Sequence, residues 1–466
     1  MGNETYDAIV IGAGPGGAAC AGLLAKGGMK VLLVEKNDRP GGKTMTVSKE
    51  GFTYELWPVT ANPIHDSQYE ALIQELGLEV ELLDPTPGPM FYYRVPGGKF
   101  EPYEMPGPVP MTEEEAKGFE QLLTDMMTLT PEAIETMDDV TFHEFLSRYH
   151  LSPSIYSFWA QVANITFLEP VDLVPVSEML RTMNGITAGG GSGYIKGGFG
   201  RLAEACAEAV KRNGGTVALK AGVESISIKD GQVRGVVTQK EEFNAPIVVS
   251  NAGIQPTVLK LAGVEHFDKS YINYVKDLVP SFGLMGYRYF LDKPVLDHPL
   301  YITFSDEGYW NVERSVKAKA GKVLGDGLIH LVIPSVFDPS MAPEGKQLVL
   351  ASIMCPPDPE MENPQIWWDQ LDETIAEIWP EFHEHIEHKE TFSIANISAA
   401  TRDHVLPGQG GECIGLGQIV GQCGQTKPSA WAPVRGLFYV GTDAGGYSCG
   451  THQAVDSAFN VARQVL

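Results

Sequence analysis

Residues 6–46 read YDAIVIGAGPGGAACAGLLAKGGMKVLLVEKNDRPGGKTMT, and this stretch decides the fold. AIVI is a short, wholly apolar run, the pattern of a parallel strand buried on both faces. It enters Gly12-Ala13-Gly14-Pro15-Gly16-Gly17, which fits G-x-G-x-x-G with glycines at 12, 14 and 17. Residues 18–26 carry helix formers, Gly27-Gly28 stops them, and a second apolar run ends in the acid Glu35, followed by Lys36. Gly12 permits the tight turn, Gly14 lets backbone approach a pyrophosphate, and Gly17 lets the helix pack on the strand. The helix start offers free N–H groups and partial positive charge to phosphate, and Glu35 is placed to accept hydrogen bonds from a ribose. The stretch therefore predicts a dinucleotide-binding βαβ unit, without separating NAD from FAD.

The chain has 466 residues, which makes two domains the expectation, and 43% hydrophobic against 20% charged residues describes a folded protein. A net charge of −25 argues against nucleic acid and against docking on an anionic membrane through a basic face. A hydrophobic, peripheral membrane contact stays open. No signal-peptide pattern and no run of 18 apolar residues stands out, so a cytoplasmic protein is expected. Cys20, Cys206, Cys355, Cys413, Cys423 and Cys449 are scattered without C-x-x-C spacing, so neither disulfides nor zinc is expected.

Beyond Thr46, FTYELWP reads as a hairpin return strand, and Asp66 is placed to cap a helix ending at Leu76. Residues 84–110 hold eight prolines around FYYRV, a natural exit from the first domain. Residues 112–184 read as helices, with starts at Thr112 and Thr130-Pro131. Their Met126, Met127, Met137, Phe142, Phe145, Phe158, Trp159 and Phe167 are read as helical core, the alternative being that some line an apolar substrate channel. The glycine-rich run 189–200 opens a helix over 201–213; TVALK, GVESISI, an Asp230-Gly231 turn, QVRGVVT and PIVVSNAG then read as strands. Strands YRYFL, YITFS, LIHLVIP and LVLASIM and an amphipathic helix over 366–378 follow. His383, His385 and His388 are read as a solvated helix end rather than a metal site, because no second ligand cluster accompanies them. The C-terminal GLFYVGTDAGG is a buried strand ending in glycine and Asp443, and a helix starts at Thr451.

Arg39-Pro40-Gly41-Gly42-Lys43-Thr44, directly after the acid, resembles the extended FAD motif G-G-R-x-x-T of the flavin amine oxidase and phytoene desaturase superfamily. Lys43 stands in place of the arginine, keeping the charge but losing bidentate geometry. With the segments 194–252 and 404–463, the chain resembles the phytoene desaturase-like FAD oxidoreductases, which include carotenoid desaturases, carotenoid isomerases and retinol saturases. That resemblance implies an α/β fold: a Rossmann-type FAD-binding domain (1–83, 190–278 and 402–466) with a discontinuous α+β substrate domain of mixed sheet plus helices (84–189 and 279–401). It implies FAD held by Gly12, Ala13, Gly14, Pro15, Gly16, Gly17, Glu35, Lys36, Gly41, Gly42, Lys43 and Thr44. Val223 is implied at the adenine, Asn251 on the flavin side of the sheet, and Gly441, Asp443, Thr451, His452 and Gln453 in the third FAD motif. Relatives usually carry G-D without an intervening residue and G-P where Leu56-Trp57-Pro58 stands, so Thr442 shifts the acid and Trp57 either narrows the site or is ordinary packing.

The expected function is an FAD-dependent oxidoreductase acting on carbon–carbon bonds of an apolar polyene or enoyl substrate by hydride transfer: desaturation, saturation or isomerisation. Catalytic candidates by motif position are His452, Tyr194, Glu55 and Trp57, with Trp431 also near the motif; His452, at the helix start, ranks first. With one dinucleotide fingerprint, electrons are expected to pass to or from oxygen, a quinone, a protein carrier or NAD(P)H. A flavin amine oxidase is the first alternative, weakened because G-E-x-x-S is absent around Gly441. A non-catalytic lipid carrier on the GDP-dissociation-inhibitor fold is the second, weakened by the intact glycines.

Overall fold

The computed structural model describes residues 5–59, 64–84, 87–189, 191, 193–323 and 325–466. The expected domain boundary at 190 and Gly190 and Ser192 of the glycine run lie outside these residues.

Five short parallel strands form one sheet in the order Leu437–Tyr439, Ile247–Ser250, Ala8–Ile11, Val31–Val34, Thr216–Ala218. Strand Ala8–Ile11 is buried throughout because both faces are covered. Ala8 and Val10 pack toward helices Pro15–Lys26, Gly200–Arg212 and Gly450–Val465. Ile9 and Ile11 face the other way, onto Ile226, Val233 and Val236 of the antiparallel sheet Val223–Lys229, Gln232–Thr238, Glu242–Asn244. Every strand of the parallel sheet comes from residues before 84, between 190 and 278, or after 402.

A second, seven-stranded sheet runs Ile386–Phe392, Gly283–Leu291, Gln347–Cys355, His330–Val332, Leu300–Ser305, Met90–Arg94, Phe100–Tyr103. It is mixed, since Leu300–Ser305 lies parallel to Met90–Arg94 while its other pairings are antiparallel. Helix Gln365–Ile378 covers one face through Leu371 and Ile375. The helices between 113 and 188 cover Leu284, Phe304 and Ile353 on the other. Four of those five helices start on hydroxyl caps, at Thr112, Thr130, Thr141 and Ser152.

Three local expectations are corrected. Ser67, not Asp66, caps helix Gln68–Leu76, because Asp66 takes a left-handed φ of 48° that turns the chain into the helix. Met127 is 84% exposed while Met126, Phe142, Phe145, Phe158, Trp159 and Phe167 are buried, since Met126 rather than its neighbour faces inward on helix Glu113–Thr128. His383 and His385 lie in the short 3-10 helix Phe382–His385, but His388 sits in edge strand Ile386–Phe392, not on a helix end. Each pairs with a carboxylate: Asp372 at 3.2 Å, Asp292 at 3.0 Å and Glu390 at 3.4 Å. Among the described residues no helix is long and apolar enough to cross a membrane, and no cluster of side chains has the makings of a metal site.

Candidate functional site

Helix Pro15–Lys26 begins at an extended Gly14, with proline first, no side-chain cap and no acid in its first turn. Its leading N–H groups therefore have no side-chain acceptor and are available to an anion. Gly12 turns the chain at φ 88°, which a side chain would strain. A Cβ on Gly17 would strike the Gly12 carbonyl oxygen. One on Gly14 would lie 2.9 Å from Asn251 Nδ2, and one on Gly16 2.9 Å from Gly441 Cα and 3.0 Å from Asn251 Oδ1. Asn251 thus stands between the first glycine loop and Gly441, at the C-terminal edge of three adjacent parallel strands. This is the switch-point edge where open α/β sheets take ligands.

Glu35 is buried with both carboxylate oxygens engaged. Oε2 accepts from the Ala13 backbone N–H at 2.7 Å, and Oε1 from the backbone and side chain of Asn37 at 2.8 Å each. Lys36 faces Asp403 at 3.5 Å, and a Cβ on Gly222 would meet the Lys36 Cβ at 3.5 Å. Val223, opening its strand next to Gly222, therefore lies at the Glu35 end of the site.

The second turn closes on the first. Gly41 N–H donates to the Ala13 carbonyl at 2.9 Å, and the Thr44 hydroxyl bonds Gly41 O at 2.9 Å. Burial lowers the pKa of Lys43, and the negative charges of Glu412 and Asp443 counter that shift. The chain then enters hairpin Thr46–Lys49, Phe52–Glu55. Glu55 is fully buried and accepts from Tyr194 Oη at 2.6 Å and Phe199 N–H at 2.9 Å; burial pushes its pKa up. Tyr194 stacks on Phe337 at 4.8 Å. This pair clamps the hairpin to the segment that opens helix Gly200–Arg212. Trp57, two residues on, is 4% exposed, and its indole N–H has no hydrogen-bond partner among the described residues.

The C-terminal segment completes the constellation. Both oxygens of Asp443 are engaged by protein donors: Arg402 Nη1 at 2.9 and 3.1 Å, Ile254 N–H at 2.9 Å and Leu416 N–H at 3.0 Å. Burial pushes this acid upward, but Arg402 and the two N–H groups outweigh it, and its pKa falls below the ordinary value. Arg402 also faces Glu412 and Gln255, so Asp443 latches four chain segments together. The Thr442 hydroxyl bonds Ile414 O at 2.9 Å. Helix Gly450–Val465 starts without a side-chain cap or a first-turn acid. There the Thr451 hydroxyl meets Tyr69 Oη, and the His452 ring stacks on Tyr69 at 4.1 Å. The Gln453 amide, with O and N exchanged, donates to Thr442 O at 3.2 Å and accepts from Lys427. Trp431 is half exposed against Phe438.

The structure thus brings the three glycine segments, Glu35, Asn251 and the C-terminal helix start to one sheet edge. Sequence reading missed Arg402, Glu412, Gln255 and Tyr69. Only the near-complete burial of Arg402 marks it, and no local pattern carries that. The cradle fits FAD: an uncapped helix start with glycines for a pyrophosphate, an acid for a ribose, and a second uncapped helix start for the ring system.

Comparison with known proteins agrees. The family model described as flavin containing amine oxidoreductase matches residues 16–268, more than half of the chain. Prolycopene isomerase 2, chloroplastic, of an Oncidium hybrid cultivar is 28% identical over 388 residues, covering 74% of this chain and 63% of its own length. Phytoene desaturase of Fusarium fujikuroi is 26% identical over 383 residues, covering 74% and 65%. The chain therefore spans just under two thirds of the length of these relatives. An oxidoreductase from Methanosarcina mazei has the same fold, with a TM-score of 0.74 at 19% identity over 98% of this chain and 99% of its own.

Proposed function

We propose, for a chain that belongs to the flavin containing amine oxidoreductase family and is an FAD-dependent oxidoreductase, a reaction on carbon–carbon bonds of an apolar polyene. Bound FAD supplies the capacity to take or give a hydride. The observation that carries the substrate class is the apolar layer beside the cofactor edge. Trp57 packs in one cluster with Phe158, Trp159 and Met179, and partly buried Leu56, Cys413, Ile414 and Cys449 border it. Leu56 continues the hairpin, while Cys413 and Cys449 belong to the C-terminal cofactor segment, so this layer meets the site from two sides. Relatives named prolycopene isomerase and phytoene desaturase support the same class.

In this reading the uncapped helix start at Thr451 and His452 faces the reacting edge, where its partial positive charge favours the electron-rich cofactor. His452, held flat against Tyr69, is the residue that hydrogen-bonds the cofactor or moves a proton there. Glu55 and Tyr194 act by holding the hairpin, since each takes up the other's polar atom.

The test is anaerobic mixing of the FAD-loaded protein, oxidised and separately reduced, with polyenes, enoyl compounds and amines while flavin absorbance is followed. Bleaching by a partly saturated polyene supports desaturation, and reaction of the reduced enzyme alone supports saturation. Conversion without net bleaching supports isomerisation. Bleaching by primary amines, with polyenes inert, replaces this reading with amine oxidation.

A further inference from the structure

The turn that leads into helix Gly450–Val465 holds a serine in a conformation that suits glycine. Ser448 lies at φ 75°, in the left-handed region that a Cβ disfavours. Cys449 follows in extended form, and the helix begins one residue later. A non-glycine residue stays in the left-handed region only where its surroundings hold it there.

The helix itself ties the earlier part of this turn. Asp456 accepts from the Tyr447 N–H at 2.9 Å, and the Asn460 amide donates to the Gly445 carbonyl at 2.7 Å. Ser448 is held from elsewhere in the chain: Gln418 Nε2 donates to its carbonyl oxygen at 2.9 Å. Gln418 is buried, and the same nitrogen donates to Glu178 Oε2 at 3.0 Å. Two acceptors on one nitrogen decide which way the amide faces. Glu178 is buried in the first turn of helix Val176–Ala188, and its Oε1 pairs with Arg181 at 3.1 Å. Met179 and Leu180 anchor that helix in the apolar cluster that also holds Trp57. A buried polar chain therefore runs from a packed helix, through Glu178 and Gln418, to the backbone just ahead of the cofactor-side helix.

We propose that Gln418 is a positioning residue: it holds Ser448 in the left-handed turn and so aims the uncapped start of helix Gly450–Val465 at the reacting edge of the cofactor. This rests on the reading above that the helix start faces that edge. The partial positive charge of a helix start is confined to its first turn, so its effect depends on where the preceding backbone directs it. Without the Gln418 bond, Ser448 relaxes toward the conformations its side chain favours, and the leading N–H groups turn with it. Reduced flavin, which carries the extra charge, then loses more stabilisation than oxidised flavin. Glycine at position 448 feels no such pull and keeps the turn without Gln418.

The experiment measures the midpoint potential of the flavin in the FAD-loaded full chain, with urea midpoints in parallel. Gln418→Met should weaken the preference for reduced over oxidised flavin about tenfold, a fall of about 30 mV for a two-electron couple. Adding Ser448→Gly to Gln418→Met should bring that preference back to within about threefold of wild type. A side chain that only packs would lower the urea midpoint and leave the potential where it was. Thr451→Asp, which sets a carboxylate in the first turn of the helix, checks the underlying reading and should lower the potential as well. An unchanged potential in Thr451→Asp overturns that reading and the proposal with it. A fall in Thr451→Asp with none in Gln418→Met, or a fall in Gln418→Met that Ser448→Gly does not restore, overturns the proposal alone. If Gln418→Met does not fold, Gln418→Asn, whose amide is one methylene short of Ser448, is measured in its place.

Discussion

Arg402 Nη1 lies 2.9 Å from Asp443 Oδ2, with 7% and 4% of the two side chains exposed. The pair joins the segment after helix Ile394–Thr401 to the turn after strand Leu437–Tyr439, two residues beyond Gly441. Asp443 reads in sequence as a cofactor ligand, yet its carboxylate is engaged by Arg402, Ile254 and Leu416. These bonds tie the turn after Gly441 to the segments carrying Ile254, Arg402 and Leu416.

Arg402→Met leaves Asp443 buried without its counter-charge, and breaking a buried pair from one side costs about 3–5 kcal/mol. Asp443→Asn removes the charge but keeps an acceptor, so its cost is smaller than that of Asp443→Leu. Urea denaturation of the three variants, each saturated with FAD, measures the order.

Gly17→Ala drives a methyl group into the Gly12 carbonyl oxygen and toward Asn251. The loop must open, which disorders the N–H groups that meet the pyrophosphate. The expected product is a folded, colourless protein without bound flavin. Its absorbance near the flavin bands against its circular dichroism checks this.

Glu35→Gln keeps the shape but weakens the charge-assisted bonds from Ala13 and Asn37, and gives a weaker ribose acceptor. FAD should bind about tenfold more weakly, equivalent to about 1.4 kcal/mol. Flavin fluorescence on titration of the apoprotein reads this directly.

Glu390 sits among Lys49, His388 and Arg288. Desolvation pushes its carboxyl up, but hydrogen bonds from Lys49 and His388 and the nearby positive charges hold it down at about 2. A folded-state value below the ordinary 4.5 makes its contribution to stability complete above that pH. The contribution disappears as pH falls toward 2. Glu390→Gln should therefore be less stable than wild type near pH 7, and the gap should close between about pH 5 and 2. Denaturant midpoints across that range measure it.

His452→Phe preserves the ring stack on Tyr69 while removing both ring nitrogens. FAD affinity should stay within about threefold, and the rate of flavin reduction or reoxidation by substrate should fall about a hundredfold, the scale of a lost proton-transfer group. Stopped-flow absorbance separates the two effects.

The parallel strands, their glycine turns and the helix starts at Thr112 and Thr130 were legible because their causes are local. A buried strand is an apolar run, a tight turn needs a glycine, and a cap is the residue before the helix. Ser67 was misread in favour of Asp66 by a single residue, since either side chain can cap and only the backbone angle selects between them. Arg402, Glu412 and Tyr69 were invisible, because their roles arise from partners distant in the chain.

The sequence by itself determined the glycine turn at Gly12–Gly17 between a buried strand and a helix, and the second buried strand that leads to Glu35. These follow from short-range sterics and hydrogen-bonding needs of the backbone. Tertiary structure alone decided that Asn251 stands between Gly14 and Gly441 and that Asp443 serves Arg402. It also decided that Glu55 is spent on Tyr194 and that His452 lies on Tyr69. In each case burial removes water as an alternative partner, so the side chain's role is set by what the fold brings within hydrogen-bond distance.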